Sequence, residues 1–354
     1  MASSGMRVVV TGATGNIGLA VVKALVAEPA VDQIVGVARR APRLDAAPYD
    51  DAGFSWRSAD VGVDALDSAL DGADAVVHLA WRFQPTRDHA VTWRSNVIGT
   101  ERVLEAAARA GVDTVVYASS VGAYSPVAGQ PYAGPAGESL PEPDQPVDES
   151  WPTRALPSAA YGIEKSYLER YVDGFAATHP DVRVVRTRNA FVFHTAAAPE
   201  QLRIFGGRLA PARLVGSRRI PVLPVPAGLR FQTVHGDDLA AAIVQTLLRP
   251  VRGAFNLAAD PVVGPEQLAE VFGARVVEVP PRLVRGALAA AFRLRLVPVE
   301  PGLLELFMTL PVMDSSRARR ELDWSPRHTS LDALDEFLAG LREPVGGPTP
   351  PLSR

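Results

Sequence analysis

The 354-residue chain contains no cysteine, and Lys23 and Lys165 are the only lysines among its 36 lysines and arginines. The first absence removes disulfides, thiolate nucleophiles and cysteine metal sites together. The second is a general preference for arginine. It makes a surviving lysine informative, because an ammonium loses its proton more readily than a guanidinium and is less bulky. No uncharged apolar run reaches the ~18 residues of a membrane span. The start, MASSGMRVVV, has no apolar segment ahead of its first strand-like run, so no secretory leader is expected. A net charge of −3 gives no long-range pull toward nucleic acid or anionic membrane. The six histidines, at 78, 89, 179, 194, 235 and 328, show neither an i,i+4 pair nor zinc spacing, so no metal is expected. What is expected is a soluble, cytoplasmic protein whose partner is a small molecule, with no nucleic acid and no membrane.

The first half of the chain alternates short β-branched runs with amphipathic stretches. Strands are expected at 6–11, 33–38, 54–59, 73–79 and 114–118, and helices at 16–27, 64–70 and 89–110. Such alternation builds βαβ units, which predicts an α/β, Rossmann-type doubly wound parallel sheet. Residues 125–157 carry eight prolines and little periodicity. They read as a long loop, either a flap over a substrate or a surface excursion. A helix over 158–177 and a strand over 182–186 complete a dinucleotide-binding domain of residues 1–190. Beyond it the pattern is irregular, with helices at 237–248, 265–272, 282–294 and 331–341 and a strand at 254–257. Residues 191–342 are expected to form a smaller, mixed substrate-binding region interleaved with the sheet, and 343–354 a disordered tail.

Thr11-Gly12-Ala13-Thr14-Gly15-Asn16-Ile17-Gly18 directly follows the first strand and opens the first helix. Glycines there permit a tight turn and close approach of the backbone to a pyrophosphate, which then rests on the helix N-terminus. The end of the second strand indicates which dinucleotide binds. NAD sites place an acid there for the ribose hydroxyls, whereas arginine suits a 2′-phosphate. Here the segment is Gly36-Val37-Ala38-Arg39-Arg40, so NADP is favoured over NAD. Arg39 is the first candidate for that phosphate and Arg40 the second; the alternative is a pair of solvated loop arginines.

Tyr161-Gly162-Ile163-Glu164-Lys165 sets a phenol and an ammonium four residues apart, on one face of the expected helix. A phenol is a poor acid or base at neutral pH, and a nearby ammonium stabilises its anion. With seven tyrosines and two lysines in the chain, this spacing arises by chance about 4% of the time.

Taken together, these motifs resemble the extended short-chain dehydrogenase/reductases of the NAD-dependent epimerase/dehydratase type, over nearly the whole length. TGATGNIG resembles the glycine motif of that family, and Asp60-Val61 the pair that receives the adenine. Val77-His78-Leu79-Ala80 is similar to the segment that lines the cofactor. Asn96-Val97-Ile98-Gly99-Thr100 is similar to the helix motif whose Asn organises the lysine's surroundings. Ala118-Ser119-Ser120-Val121-Gly122-Ala123-Tyr124 resembles the fifth-strand end that carries the catalytic serine, which would be Ser120, with Ser119 as the other register. The segments from Val234, Phe255 and Leu322 are similar to the C-terminal half. The resemblance implies that Tyr161 exchanges a proton with a reacting oxygen. Lys165 would lower the Tyr161 pKa and hold the nicotinamide ribose, and Ser120 would hydrogen-bond the oxygen. It also implies a homodimer through helices 89–110 and 158–177.

Departures from the family narrow the substrate. Dehydratases carry Asp-Glu after the catalytic serine, where this chain has Val121-Gly122. Nucleotide-sugar members carry an arginine four residues before the His235 position; Phe231 stands there, with Arg230 one residue off. Trp81 and Phe83 follow strand four, and Val121, Tyr124, Asn189, Phe191 and Phe231 come from segments that line the cleft in relatives. The expected function is therefore NAD(P)-dependent reduction of a carbonyl, or oxidation of the alcohol, on a non-nucleotide, apolar or aromatic small molecule. The alternatives are an NAD-dependent sugar-nucleotide epimerase and a non-catalytic dinucleotide-binding sensor.

Overall fold

The computed structural model describes residues 5–84, 87–127, 145–206, 221–343 and 347–350. Seven strands form one sheet in which every neighbouring pair is parallel. In chain order the first five are β1 (Met6–Thr11), β2 (Val31–Ala38), β3 (Phe54–Ser58), β4 (Ala75–His78) and β5 (Thr114–Ala118). β6 (Arg183–Asn189) and a strand from the C-terminal half, Gly253–Leu257, complete it. Across the sheet the order runs from Gly253–Leu257 through β6, β5, β4, β1 and β2 to β3. The chain reverses direction of travel between β1 and β4, which places a crevice at the C-terminal ends of those strands.

The strands pack as they do because their side chains alternate. Val8 and Val10 enter a core on one face with Leu25, Val77, Val116 and Phe255. Val9 enters a core on the other face with Val35, Val76, Val115, Leu104 and Leu168. Burial on both faces explains the unbroken apolar runs, each such side chain contributing about 1.5–3 kcal/mol. The helix α1 (Asn16–Val26) covers the first face with Gly236–Leu248, and Gly99–Arg109 and Ala160–Thr178 cover the second.

Three local differences from the sequence reading matter for the site. The helix expected over 89–110 is interrupted by a π-helical turn at Arg94–Ile98, between His89–Trp93 and Gly99–Arg109. π turns displace side chains from the helical register and are common at functional sites. The helix expected over 64–70 is regular only at Asp67–Leu70. Beyond Asn189 lie two small parallel ribbons, Phe191–Phe193 with Thr233–His235 and Val222–Pro226 with Arg275–Val279, which the irregular sequence pattern concealed.

The helix Ser330–Arg342 and the helix Pro265–Phe272 enclose a third core around Val225, Val263, Leu268 and Leu338. Of the Pro-rich segment, residues 128–144 lie outside the described residues, and with them most of the flap reading. Its two ends are tied down: Ser125 N–H donates to Pro152 O at 2.8 Å, and Val147 N–H to Val312 O at 2.8 Å. The tail expected to be disordered is packed where it is described, over 347–350. Arg43 N–H donates to Pro348 O at 2.7 Å, and Thr349 is buried. No helix among the described residues is long and apolar enough to cross a membrane.

Candidate active site

The glycine-rich turn joins β1 to α1. Gly12 has φ +73°, and a Cβ there would stand 2.7 Å from the backbone nitrogen of Ala80, while one at Gly18 would meet Gly12 O at 2.1 Å. Only glycine fits either position, since one is left-handed and both touch backbone. Gly15 caps α1 without a side-chain bond, so the first-turn N–H groups are left to an anion. Asn16 donates through Nδ2 to Val192 O at 3.3 Å, but its buried Oδ1 has no partner. Thr14 is buried, and Ile17 packs against the first core. The turn thus has the open donors and close backbone that a pyrophosphate requires.

Along the same crevice, Asp60 accepts the Gly62 N–H at 2.9 Å and Val61 is buried beside it. Leu79 and Ala80 follow β4, with Leu79 N–H donating to Thr11 O at 3.0 Å. Arg39 and Arg40 stand exposed past the end of β2 and line a cavity of about 820 Å³ with Trp81, Arg82 and Phe83. The residues present fit a nicotinamide dinucleotide, and two guanidinium groups occupy the ribose end.

At the other end, Ser120 follows β5 and caps the short turn Val121–Ala123, its Oγ accepting the Gly122 N–H at 3.0 Å. Ser120 stands beside the Tyr161 hydroxyl and acts to lower its pKa. Ser119 points the other way and donates to Glu169, so of the two serines it is Ser120 that faces Tyr161. Lys165 lies one turn along the helix Ala160–Thr178, only 4% exposed. Its Nζ donates to Ala118 O at 2.7 Å and to the Tyr117 hydroxyl at 3.3 Å, and sits 3.6 Å above the Trp81 ring. Burial pushes the Tyr161 phenol up to about 12, with Ser120 opposing it. Burial pulls the Lys165 ammonium down to about 7, against the opposing charges of Glu164 and Glu169. The phenol therefore holds its proton at neutral pH, and the lysine is balanced between charged and neutral forms.

Two glutamates that the sequence reading passed over organise this end. Burial raises the Glu164 carboxyl, which accepts from Thr92 Oγ1 at 2.7 Å and from Asn96 Nδ2 at 2.7 Å. Asn96, turned inward by the π turn, also grips both backbone groups of Arg82. Its Oδ1 accepts the Arg82 N–H at 2.7 Å and its Nδ2 donates to Arg82 O at 2.9 Å. Asn96 thus positions the segment that carries Trp81 and Phe83. Burial pushes Glu169 up, but Arg188, Arg186 and Ser119 outweigh it and hold the carboxyl below its ordinary range. Residues 161, 164, 165 and 169 share one helical face at i, i+3, i+4 and i+8 spacing, and that pattern was the available signal.

Trp81 and Phe83 wall the phenol: Trp81 meets the Tyr161 ring edge-on at 5.5 Å and Phe83 stacks on it at 5.3 Å. The remaining residues expected at the substrate are packed among neighbouring side chains. Tyr124 is fully buried, with its hydroxyl bonded to Asn256 Oδ1 at 2.7 Å and to Arg188 at 2.9 Å. Val121 is buried in the first core. Asn189 is buried too, with Nδ2 3.5 Å from Ser119 O and Oδ1 unpaired. Phe191 and Phe231 pack on each other at 5.7 Å and on Phe307 at 4.4 Å and 5.1 Å.

The histidines are less scattered in space than in sequence. His235 and His328 have ring centroids 4.0 Å apart, and Glu336 joins them. His235 Nδ1 accepts the Asp237 N–H at 3.2 Å, which leaves the proton of the neutral ring on Nε2, facing Glu336 Oε2 at 3.0 Å. Both ring nitrogens of His235 are thereby hydrogen-bonded, one capping the helix Gly236–Leu248 and the other meeting Glu336.

Comparison with known proteins agrees with this geometry. The family model described as the NAD dependent epimerase/dehydratase family matches residues 8–258. An uncharacterized protein of Mycobacterium tuberculosis is 26% identical over 344 residues, spanning 96% of this chain but 31% of that protein. The chain thus corresponds to under a third of that mycobacterial relative. A Streptomyces protein named 3-diazoavenalumate denitrifying reductase is 29% identical, covering 92% of this chain and 97% of its own. Among solved structures, the UDP-glucose 4-epimerase of Thermus thermophilus in complex with NAD superposes with a TM-score of 0.67. It is 20% identical and covers 96% of this chain and 100% of that one.

Proposed function

Because the chain belongs to the NAD dependent epimerase/dehydratase family, we propose that it is an NADP(H)-preferring oxidoreductase that reduces a carbonyl, or oxidises the corresponding alcohol, on an apolar or aromatic small molecule that is not a sugar nucleotide. The observation that carries this reading is the buried Tyr161 phenol, set beside Ser120 and walled by Trp81 and Phe83. A bound nicotinamide supplies the hydride in reduction and accepts it in oxidation.

The protein's own part is proton handling and orientation. Tyr161, held protonated by burial, donates its proton to the carbonyl oxygen as charge develops there. Ser120, beside that phenol, stabilises the same oxygen. Lys165 in its charged form lowers the cost of the tyrosinate left behind. Trp81 and Phe83 exclude water and select a flat or apolar substrate. Val121 and Gly122 offer no acid or base for elimination.

The epimerase reading is weaker because the position of the diphosphate-binding arginine holds Phe231, packed 5.1 Å from Phe307. A purely sensing role would not require Ser120, Tyr161 and Lys165 together. Parallel soaks with NADP and NAD test the proposal. Arg39 or Arg40 seated on a 2′-phosphate supports it, and equal occupancy by NAD with both arginines in solvent counts against the NADP preference. By resemblance we also propose a homodimer through the Gly99–Arg109 and Ala160–Thr178 helices, whose solvent side presents Ile163 at 42% exposure; a monomer in light scattering would remove it.

A further inference from the structure

The helix Pro281–Arg293 has no buried residue along its thirteen positions. The stretch from 281 to 298 carries four arginines and no acid, in a chain whose net charge is −3. Leu283, Leu294 and Leu296 stand 59%, 70% and 55% exposed, and with Val63 they are the most exposed large apolar side chains among the described residues. Arg285 is paired with Glu305, and Arg282, Arg293 and Arg295 make no ion pair among the described residues. An exposed helix whose outward side chains are arginine, leucine and small residues is chemically matched to a surface that is anionic outside and apolar just beneath.

We propose that this face docks onto an anionic lipid bilayer, lying in the interface without crossing it. Leu283, Leu294 and Leu296 enter the boundary between headgroups and acyl chains, and Arg282, Arg293 and Arg295 meet the phosphates. Arg295, Leu296 and Val297 also line the cavity of about 820 Å³ that holds Trp81 and Phe83. Docking would therefore hold the cavity mouth against the membrane, where apolar molecules concentrate. The inference stands on the surface alone and does not depend on the oxidoreductase reading. It departs from the sequence expectation of no membrane partner, which rested on net charge and on the lack of a spanning segment. Neither of those reports a local patch.

Flotation of the full chain with vesicles tests this. Vesicles of equimolar phosphatidylcholine and phosphatidylglycerol should bind the chain about tenfold better than phosphatidylcholine alone, and high salt should release it. Replacing Leu283, Leu294 and Leu296 together by serine should cut binding about tenfold with no change in thermal midpoint. An Arg282→Gln, Arg293→Gln variant should keep the fold and lose the preference for phosphatidylglycerol. Failure to bind the phosphatidylglycerol vesicles, or binding that survives the leucine replacements, overturns the proposal. Light scattering that shows the leucine variant breaking an oligomer into single chains also overturns it, and assigns the face to a second copy.

Discussion

At the reacting end of the cleft Lys165 is enclosed by Ala118, Tyr117 and Trp81, and Glu164 and Glu169 are buried beneath it. At the ribose end Arg39 and Arg40 stand in solvent. The same crevice thus joins a part whose charges are fixed by neighbours on every side to a part whose charges are screened and free to move. On the proposed function, chemistry belongs to the first, because burial tunes proton affinity and an exposed site cannot. On the same proposal, choice of cofactor belongs to the second, where one substitution is expected to change affinity without disturbing the fold.

The largest effect should come from Tyr161→Phe. We expect a loss of about 10³-fold or more in kcat for NADPH-dependent turnover, with dinucleotide affinity measured by fluorescence unchanged. Full turnover by this variant would end the proton-donor assignment and with it the contrast between the two ends.

Lys165→Met should cost on the order of 10²-fold in kcat and at the same time stabilise the fold. The folded lysine titrates at about 7 and the ordinary value is 10.5. Below pH 7 the folded chain therefore carries a buried cation, and the penalty is complete. Between those two values the unfolded chain binds the extra proton, so stability rises with pH and the penalty fades. The methionine variant should accordingly melt on the order of 5 °C higher at pH 6 and lose that gain toward pH 10. For carbonyl reduction by the unmodified protein, kcat should fall as pH rises through about 7, because the cation that stabilises tyrosinate is lost.

At the exposed end Arg39→Ala should shift the NADP-to-NAD preference about tenfold, with kcat preserved and a weaker salt dependence of affinity. If kcat falls with it, the two ends are coupled and the division between them fails. The smallest effect belongs to the other lysine. Lys23 pairs with Asp237 at 3.0 Å, with the side chains 64% and 49% exposed. Lys23→Ala should change stability by less than about 1 kcal/mol in denaturant unfolding and leave turnover alone.

Much of this molecule was legible in the sequence, for identifiable reasons. A parallel sheet buried on both faces imposes unbroken β-branched runs such as Val8–Val10, and the glycine turn can be filled only by glycine. The pairing of Tyr161 with Lys165 was readable because so few lysines compete with it. What escaped depended on long-range placement. Nothing local says that Asn96 is turned by a π-helical insertion to clasp Arg82, or that Tyr124 points at Asn256 instead of the cleft. The burial of Glu164 and Glu169 was encoded in their helical face, but a charged residue beside a lysine reads first as a surface pair. His235 and His328 meet because Asp238, on the helix that His235 caps, holds the backbone N–H and the ring of His328.

The sheet's outer edge has a consequence for synthesis. β6 ends at Asn189, yet its partner strand, Gly253–Leu257, is made only after the ribbons and the helix Gly236–Leu248. On the ribosome the nascent sheet therefore presents the unpaired backbone of β6 for the whole of that interval. Arg183 on this strand closes against the later helix, donating to Thr246 O at 2.5 Å and Leu247 O at 2.9 Å once Gly236–Leu248 is in place.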